Sequence, residues 1–140
     1  SKIFGNEIIK KKTSGIILNI ASDLSVMSPN QNVYKNKNFK NSNQSVKPIS
    51  YSVIKHGVIG LTKYLSTYWA GENIRCNALS PGSVLNLQSE NLVRRLKNLI
   101  PMARLANKNE YRSAVKFLCT DDSSYMTGQN VIIDGGRSVW

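Results

Sequence analysis

Apolar residues recur along this chain in two rhythms. Ile16-Ile-Leu-Asn-Ile20 is a continuous β-favouring run, the signature of a strand buried on both faces in a parallel sheet. From Tyr51 to about Trp69 the period changes, and Val53, Ile54, Val58, Leu61, Leu65 and Tyr68 return at helical spacing. Residues 3 to 12 read as the tail of a helix: Ile3, Phe4, Ile8 and Ile9 are apolar, and three lysines sit at its C-terminal end, where cations suit the dipole. Thr13-Ser14-Gly15 breaks it. A second strand is predicted around Ile74 to Leu79, and a third at Val131 to Ile133. Between them fall a Leu- and Arg-rich helix over about 90–99 and another over about 109–119, with Tyr111, Ala114, Val115 and Leu118 on one side. Strands alternating with helices specify an α/β fold, a doubly wound parallel sheet.

The chemistry-bearing feature lies at the start of the long helix. Tyr51 and Lys55 are four apart, so on a helix they share a face and address one point in space. A cation beside a phenol favours its ionised form, and a tyrosine so placed can pass a proton to or from an oxygen. Ser22, at the end of the first apolar run, can hold that oxygen. With 6 Tyr and 13 Lys in 140 residues, chance supplies about 0.6 pairs at this spacing, so position decides its meaning. Ser50 is the expected N-cap, with Ile49 stapled against Ile54.

Four motifs in order resemble the short-chain dehydrogenases/reductases. Gly15 to Ser22 is similar to the strand that delivers their catalytic serine, and Tyr51-Ser-Val-Ile-Lys55 to their active-site motif. Asn73-Ile-Arg-Cys-Asn-Ala-Leu-Ser-Pro-Gly82 resembles the next strand and its cofactor loop, and Thr127 to Gly136 the last strand and terminal turn. The resemblance implies an NAD(P)-dependent oxidoreductase interconverting a secondary alcohol and a ketone. Tyr51 would be the general acid/base, Lys55 would assist it and bind the nicotinamide ribose, and Ser22 would orient the substrate oxygen, with Ser25 a nearby rival. Pro81 and Gly82 would shape the cofactor turn, and the Val84 backbone would face the nicotinamide carboxamide. Leu85, Asn86 and Leu87 follow where many relatives place a cofactor-contacting threonine. The implied cofactor is NAD or NADP, and the implied assembly a homodimer or homotetramer through the two long helices. His56 points away from Lys55 and reads as a surface residue; Asp134 reads as a turn residue.

Family chains are nearly twice this length, and no G-x-G-x-x-G turn is present to cradle a pyrophosphate. The expectation is therefore the C-terminal part of a Rossmann-like sheet, residues 1–140 forming the C-terminal half of one catalytic domain. A rival expectation is a truncated, non-catalytic remnant. Between Ser22 and Tyr51 lie 28 residues, where many family members have about half as many. Residues 28–48 thus read as a polar insertion loop, either a cover for an anionic substrate or a passive mobile segment. This insertion, the Tyr51-to-Gly57 run and the Asp134-to-Trp140 ending together resemble oxidoreductases of bacterial surface-sugar and flagellin-glycan pathways. Reductases acting on 3-oxoacyl thioesters share the same catalytic motifs.

Composition narrows the rest. A net charge of +11 invites nucleic acid, but the basic residues are scattered and no recognition motif accompanies them. With 16 Asn, 13 Lys and 13 Ile, the profile is one expected of an AT-rich coding sequence. A small-molecule substrate is the expected partner, not nucleic acid or a membrane. No apolar run is long enough to span a bilayer, and the start does not read as a signal peptide, so a cytoplasmic location is expected. Cys76 and Cys119 lack disulfide spacing and both read as buried and reduced. No Cys/His cluster has metal-ligand spacing, so no metal is implied.

Overall fold

The computed structural model describes residues 2–35, 40 and 44–139. Three strands, β1 (Gly15–Ile20), β2 (Ile74–Pro81) and β3 (Asn130–Ile133), form a parallel sheet in the order β1-β2-β3. Gly15 to Ile20 lie opposite Ile74 to Leu79, and Ala78 to Pro81 lie opposite Asn130 to Ile133. Four helices surround it: α1 (Lys2–Lys11), α2 (Ile49–Tyr68), α3 (Glu90–Lys97) and α4 (Arg112–Leu118). The α/β alternation read from the sequence is the architecture observed.

The sheet faces fill by strand alternation. Cys76 and Ile17 pack with Leu65, Trp69 and the half-buried Ile8 and Ile9 on the α1/α2 side. Leu79 and Leu18 pack with Leu118 and Tyr111 on the α4 side. The Trp69 ring lies so close to Gly5 that a Cβ there would come within 2.2 Å of it, so α1 can dock only with glycine at that position. β2 is buried along almost its whole length, and its one amide side chain is satisfied: Asn77 donates to the Met126 carbonyl at 2.8 Å and accepts from the Gln129 N–H at 3.0 Å.

Four expectations change. β1 was read as closed on both faces, yet Ile16 to Leu18 are only half-buried; among the described residues it pairs along one edge alone. Helix α2 begins at Ile49 behind Pro48, whose carbonyl accepts from the Tyr51 N–H at 3.1 Å, so Ser50 lies in the first turn and is not the cap. Ile49 and Ile54 are both largely exposed, which rules out a buried staple. Helix α4 starts at Arg112 rather than near Asn109, because the preceding residues form a side-chain-bonded turn. There the Asn107 side chain accepts from the Asn109 N–H, and Glu110 accepts from the Asn107 N–H.

The 28–48 segment is not wholly a loop. Gln31–Tyr34 form a helical turn, and Val33 is buried with Leu96, Ile100 and Leu105 of the α3 region. Arg95 of α3 donates to the Val33 and Lys35 carbonyls. Val33, with Tyr34 packed beside it, thus docks the segment on the α3 region, and the polar composition hid it.

Cys76 is fully buried as expected, but Cys119, at the C-terminal cap of α4, is exposed. Burial pushes the Cys76 thiol up to about 11, against a weak hydrogen bond from Asn19. In the native protein a thiol reagent at neutral pH should label Cys119 and leave Cys76 untouched until denaturant is added, as read by peptide mass. Native labelling of Cys76 would contradict this packing.

Candidate active site

The site forms where β1 ends. Ser22 leaves the strand in an extended conformation (φ −167°, ψ 161°) and caps the helical turn Asp23–Ser25. Its Oγ accepts from the Leu24 N–H at 3.2 Å and donates to Asp23 Oδ1 at 2.8 Å. The same Oδ1 accepts the Leu24 N–H at 2.8 Å. Helix α2 packs across this turn. Its Lys55 reaches back over the strand end and donates to the Ile20 carbonyl at 3.0 Å, pinning the Tyr51–Lys55 face beside Ser22.

A second cation meets Tyr51. The Lys47 ammonium lies 3.8 Å from the centroid of the Tyr51 ring, nearer than Lys55 at 5.8 Å. Lys47 is held through its backbone: the Gln31 side chain accepts its N–H at 2.8 Å and donates to its carbonyl at 3.3 Å. In the sequence Lys47 stands out only as one of the insertion's lysines, without a place at Tyr51, and sequence reasoning missed Gln31 and Tyr34. The signal available was a lysine four residues before Tyr51, but only the folded segment shows that it turns back onto the ring. Burial raises the Tyr34 phenol above its ordinary value; Arg137 opposes that rise, while Asp23 and Tyr51 add to it. Tyr34 therefore shares an electrostatic neighbourhood with the candidate site.

The remaining predicted positions separate by role. Ser25, the rival serine, is buried 3.0 Å from Ser80 Oγ, which in turn donates to Asn130 at 2.7 Å. Ser25 is thus held in a closed polar chain. His56 is exposed, its ring Nδ1 3.0 Å from the Ser52 carbonyl of its own helix. Pro81 and Gly82 lie at the end of β2, and Gly82 donates its N–H to the Ile133 carbonyl at 2.8 Å. A Cβ on Gly82 would meet the Asp134 backbone at 2.7 Å, so glycine is required for β2 and β3 to close here. The Val84 carbonyl is taken by Gln88 Nε2 at 2.7 Å. Asp134 is a turn residue as read, its two carboxylate oxygens accepting the Gly136 and Ser138 N–H groups. Among the described residues no group of His, Cys, Asp and Glu could hold a metal, and no helix is long and apolar enough to cross a membrane.

The serine at a strand end, the Tyr-x-x-x-Lys helix and the Pro-Gly turn coincide with a family-wide match. Residues 4–138 fit the family model described as enoyl-(acyl carrier protein) reductase, of the short-chain dehydrogenase/reductase type. The chain belongs to the short-chain dehydrogenase/reductase family. It is 38% identical over 98 residues to a D-arabinitol 2-dehydrogenase (ribulose-forming) of Candida tropicalis, covering 64% of this chain and 35% of that protein. It is 40% identical over 91 residues to the 3-oxoacyl-[acyl-carrier-protein] reductase FabG of Thermotoga maritima, covering 62% and 37%. A short-chain dehydrogenase from Leptospira borgpetersenii solved with bound NAD+ superposes with a TM-score of 0.86 at 32% identity. That superposition covers 96% of this chain and 49% of the other. The chain thus spans about half the length of that structural relative, and its match about a third of the curated ones.

Similar structures solved with a cofactor hold a nicotinamide nucleotide, and the candidate site has groups that suit one end of it. Lys55 spends one N–H on Ile20 and keeps two donors, and Tyr51 offers a hydroxyl on the same helix face, a donor set suited to a ribose diol. The described residues contain no glycine-rich turn for a pyrophosphate. They fit the nicotinamide–ribose end of such a group.

Beside Gly82 lies a cavity of about 100 Å³ whose walls include Ser83, Tyr111 and Asp134 and whose rim carries Arg104 and Glu110. The Arg104–Glu110 pair is bidentate, with both contacts at 2.7 Å. Arg104 first, then the Asn107 N–H, hold the Glu110 carboxyl at about 2, below its ordinary 4.5. A depressed carboxyl stabilises the fold above its ordinary value and loses that contribution as pH falls through about 2. Glu110→Gln should therefore flatten the acid limb of a Tm-against-pH curve between 4.5 and 2, more visibly at low salt. An acid limb identical to that of the parent would remove this pair from the account.

Proposed function

We propose that this chain carries the proton-handling half of an NAD(P)-dependent oxidoreductase that interconverts a secondary alcohol and a ketone. One observation carries the reading: Lys55 is anchored at the end of β1, which sets the Tyr51 face of α2 beside Ser22. In this reading Ser22 holds the substrate oxygen and Tyr51 delivers or removes its proton as general acid/base. Lys55 supports Tyr51 electrostatically and holds the nicotinamide ribose, while Pro81, Gly82 and Val84 line the cofactor turn. NAD or NADP, when bound, supplies or accepts the hydride. Residues 1–140 are the C-terminal half of one catalytic domain, and a glycine-rich half completes the dinucleotide site. The edge of β1 that is unpaired among the described residues supports this, because such an edge is suited to receiving another strand.

In the protein that includes such a half, Tyr51→Phe should lower kcat by about 10²- to 10⁴-fold with NADH binding retained. The probe reactions are D-arabinitol oxidation and 3-oxoacyl thioester reduction. Turnover within a few-fold of the parent would sink the assignment of Tyr51. Micromolar NADH binding by the 140-residue chain alone would sink the half-domain reading instead.

The substrate favoured is a polyol, sugar or sugar nucleotide of the kind handled in bacterial surface-sugar pathways. Support comes from the polyol dehydrogenase relative and from the cations of the 28–48 segment, Lys47 over Tyr51 and the exposed Lys35 and Lys40. Lys37 belongs to the same cluster in sequence and lies outside the described residues. The acyl-carrier-protein reductase relative supports a second reading, 3-oxoacyl thioester reduction. Cytoplasmic location and a homodimer or homotetramer complete the proposal. The exposed Val53, Leu61, Tyr64 and Tyr68 of α2 offer an apolar face suited to a second copy.

Neutralising Lys35 and Lys40 together should lower kcat/KM mainly at low ionic strength and flatten its salt dependence. Rates unchanged at every salt concentration would leave the segment without a steering role.

A further inference from the structure

The hydroxyl of Ser22 is not free to choose its direction. It donates to Asp23 Oδ1 and accepts from the Leu24 N–H, and these two bonds fix its rotamer at the end of β1. The carboxylate that holds it is itself buried, 3% exposed, and a buried carboxylate needs a fixed counter-charge. That charge arrives from 114 residues away: Arg137 Nη1 donates to Asp23 Oδ2 at 2.8 Å. Arg137 is equally buried, and among the described residues its Nε and Nη2 have no hydrogen-bond partner.

A buried ion pair contributes little to stability unless its remaining donors are satisfied, and apolar side chains of similar volume do as well or better. Here the pair has a visible geometric consequence: Asp23 Oδ2 takes Arg137 while Oδ1 takes the Ser22 hydroxyl. The chain that delivers Arg137 is correspondingly rigid. Gly135 (φ +70°) and Gly136 (φ +87°) turn in the left-handed region, and a Cβ on either would press on Ile100 or Pro101. Asp134 ties the turn down through the N–H groups of Gly136 and Ser138. Ser22 therefore has its direction set by the C-terminal turn, through one carboxylate.

We infer that Asp23 and Arg137 are positioning residues for Ser22, coupling the C-terminal turn to the group that holds the substrate oxygen. The inference rests on the proposed role of Ser22 for its functional meaning, but not for its structural content. With Asp23 fixed by Arg137, Ser22 Oγ keeps one place and one remaining lone-pair direction for an incoming hydroxyl. Its hydroxyl can donate a hydrogen bond to a substrate carbonyl only by rotating away from Asp23. Loss of Arg137 leaves an uncompensated carboxylate beside the position where negative charge develops on the substrate oxygen, which disfavours that charge.

The test reads Ser22 directly. In the chain as it stands, three-bond Hα–Hβ couplings of Ser22 should report a single χ1 rotamer. Arg137→Met breaks the pair but strands a buried charge, so it is compared with the double variant Asp23→Leu/Arg137→Met, in which both charges are removed and folding is expected to survive. The double variant should keep the amide shifts of β2 while Ser22 averages among rotamers. In the protein carrying the cofactor half, it should lose kcat by about 10- to 100-fold with the NADH dissociation constant unchanged. Arg137→Lys should recover part of both signals. A folded double variant with Ser22 still in one rotamer would overturn the inference, as would rotamer averaging in the parent chain. Ser22→Ala with parental turnover would instead refute the proposed role of Ser22 and leave the coupling standing.

Discussion

Everything in this chain is hung on the burial of β2. Its residues from Cys76 to Ser80 are closed to solvent, so every polar backbone group there must find a protein partner. β1 supplies those partners along one edge, and residues 127–129 together with β3 supply them along the other. Parallel pairing requires crossover connections, which places α2 between β1 and β2 and α3 and α4 between β2 and β3. The buried polar residues Asn77 and Ser80 are tolerated because loop and strand groups around residues 126–130 satisfy them. That satisfaction also fixes the approach of β3 and of the turn beyond it.

The candidate site inherits its precision from this arrangement. Ser22 emerges where β1 stops and α2 crosses, and Lys55 closes the gap with a hydrogen bond to the last carbonyl of the strand. Gly82 ends β2 at the one place where the backbone of Asp134 can approach, so the turns after β2 and β3 are mutually fitted. From that fitted turn Arg137 enters the interior and meets Asp23. The groups proposed to touch substrate are thus carried by regular elements, while their orientation is tied to the end of the chain.

The segment between Ser22 and Tyr51 shows how a few residues alter a reading. Its composition is that of a solvated loop, and Lys and Asn dominate it. Val33 nevertheless reaches the cluster of Leu96, Ile100 and Leu105, and Gln31 grips Lys47 by both backbone groups. The segment is consequently fastened at both of its described ends, and a cation is held over the Tyr51 ring. Composition averages over residues, whereas docking needs only a few side chains in the right place.

What the sequence determined by itself was whatever repeats locally. The β-favouring run of β1, the 3.6-residue period of α2, the Tyr51–Lys55 spacing and the Pro81-Gly82 stop are all set within a few residues. Their physics, strand alternation and helical pitch, needs no knowledge of the rest of the chain. Helix ends were less legible, because Pro48 displaced Ser50 as the entry to α2 and the Asn107–Glu110 turn delayed α4. The exposure of Cys119 escaped periodicity because a helix-end residue can face either way. Only the tertiary structure decided that Arg137 pairs with Asp23 and that Lys47 lies over Tyr51. A charge–charge contact across 114 residues leaves no periodic trace in the chain, since it is chosen by where the strands and turns converge and by the need of a buried carboxylate for a partner.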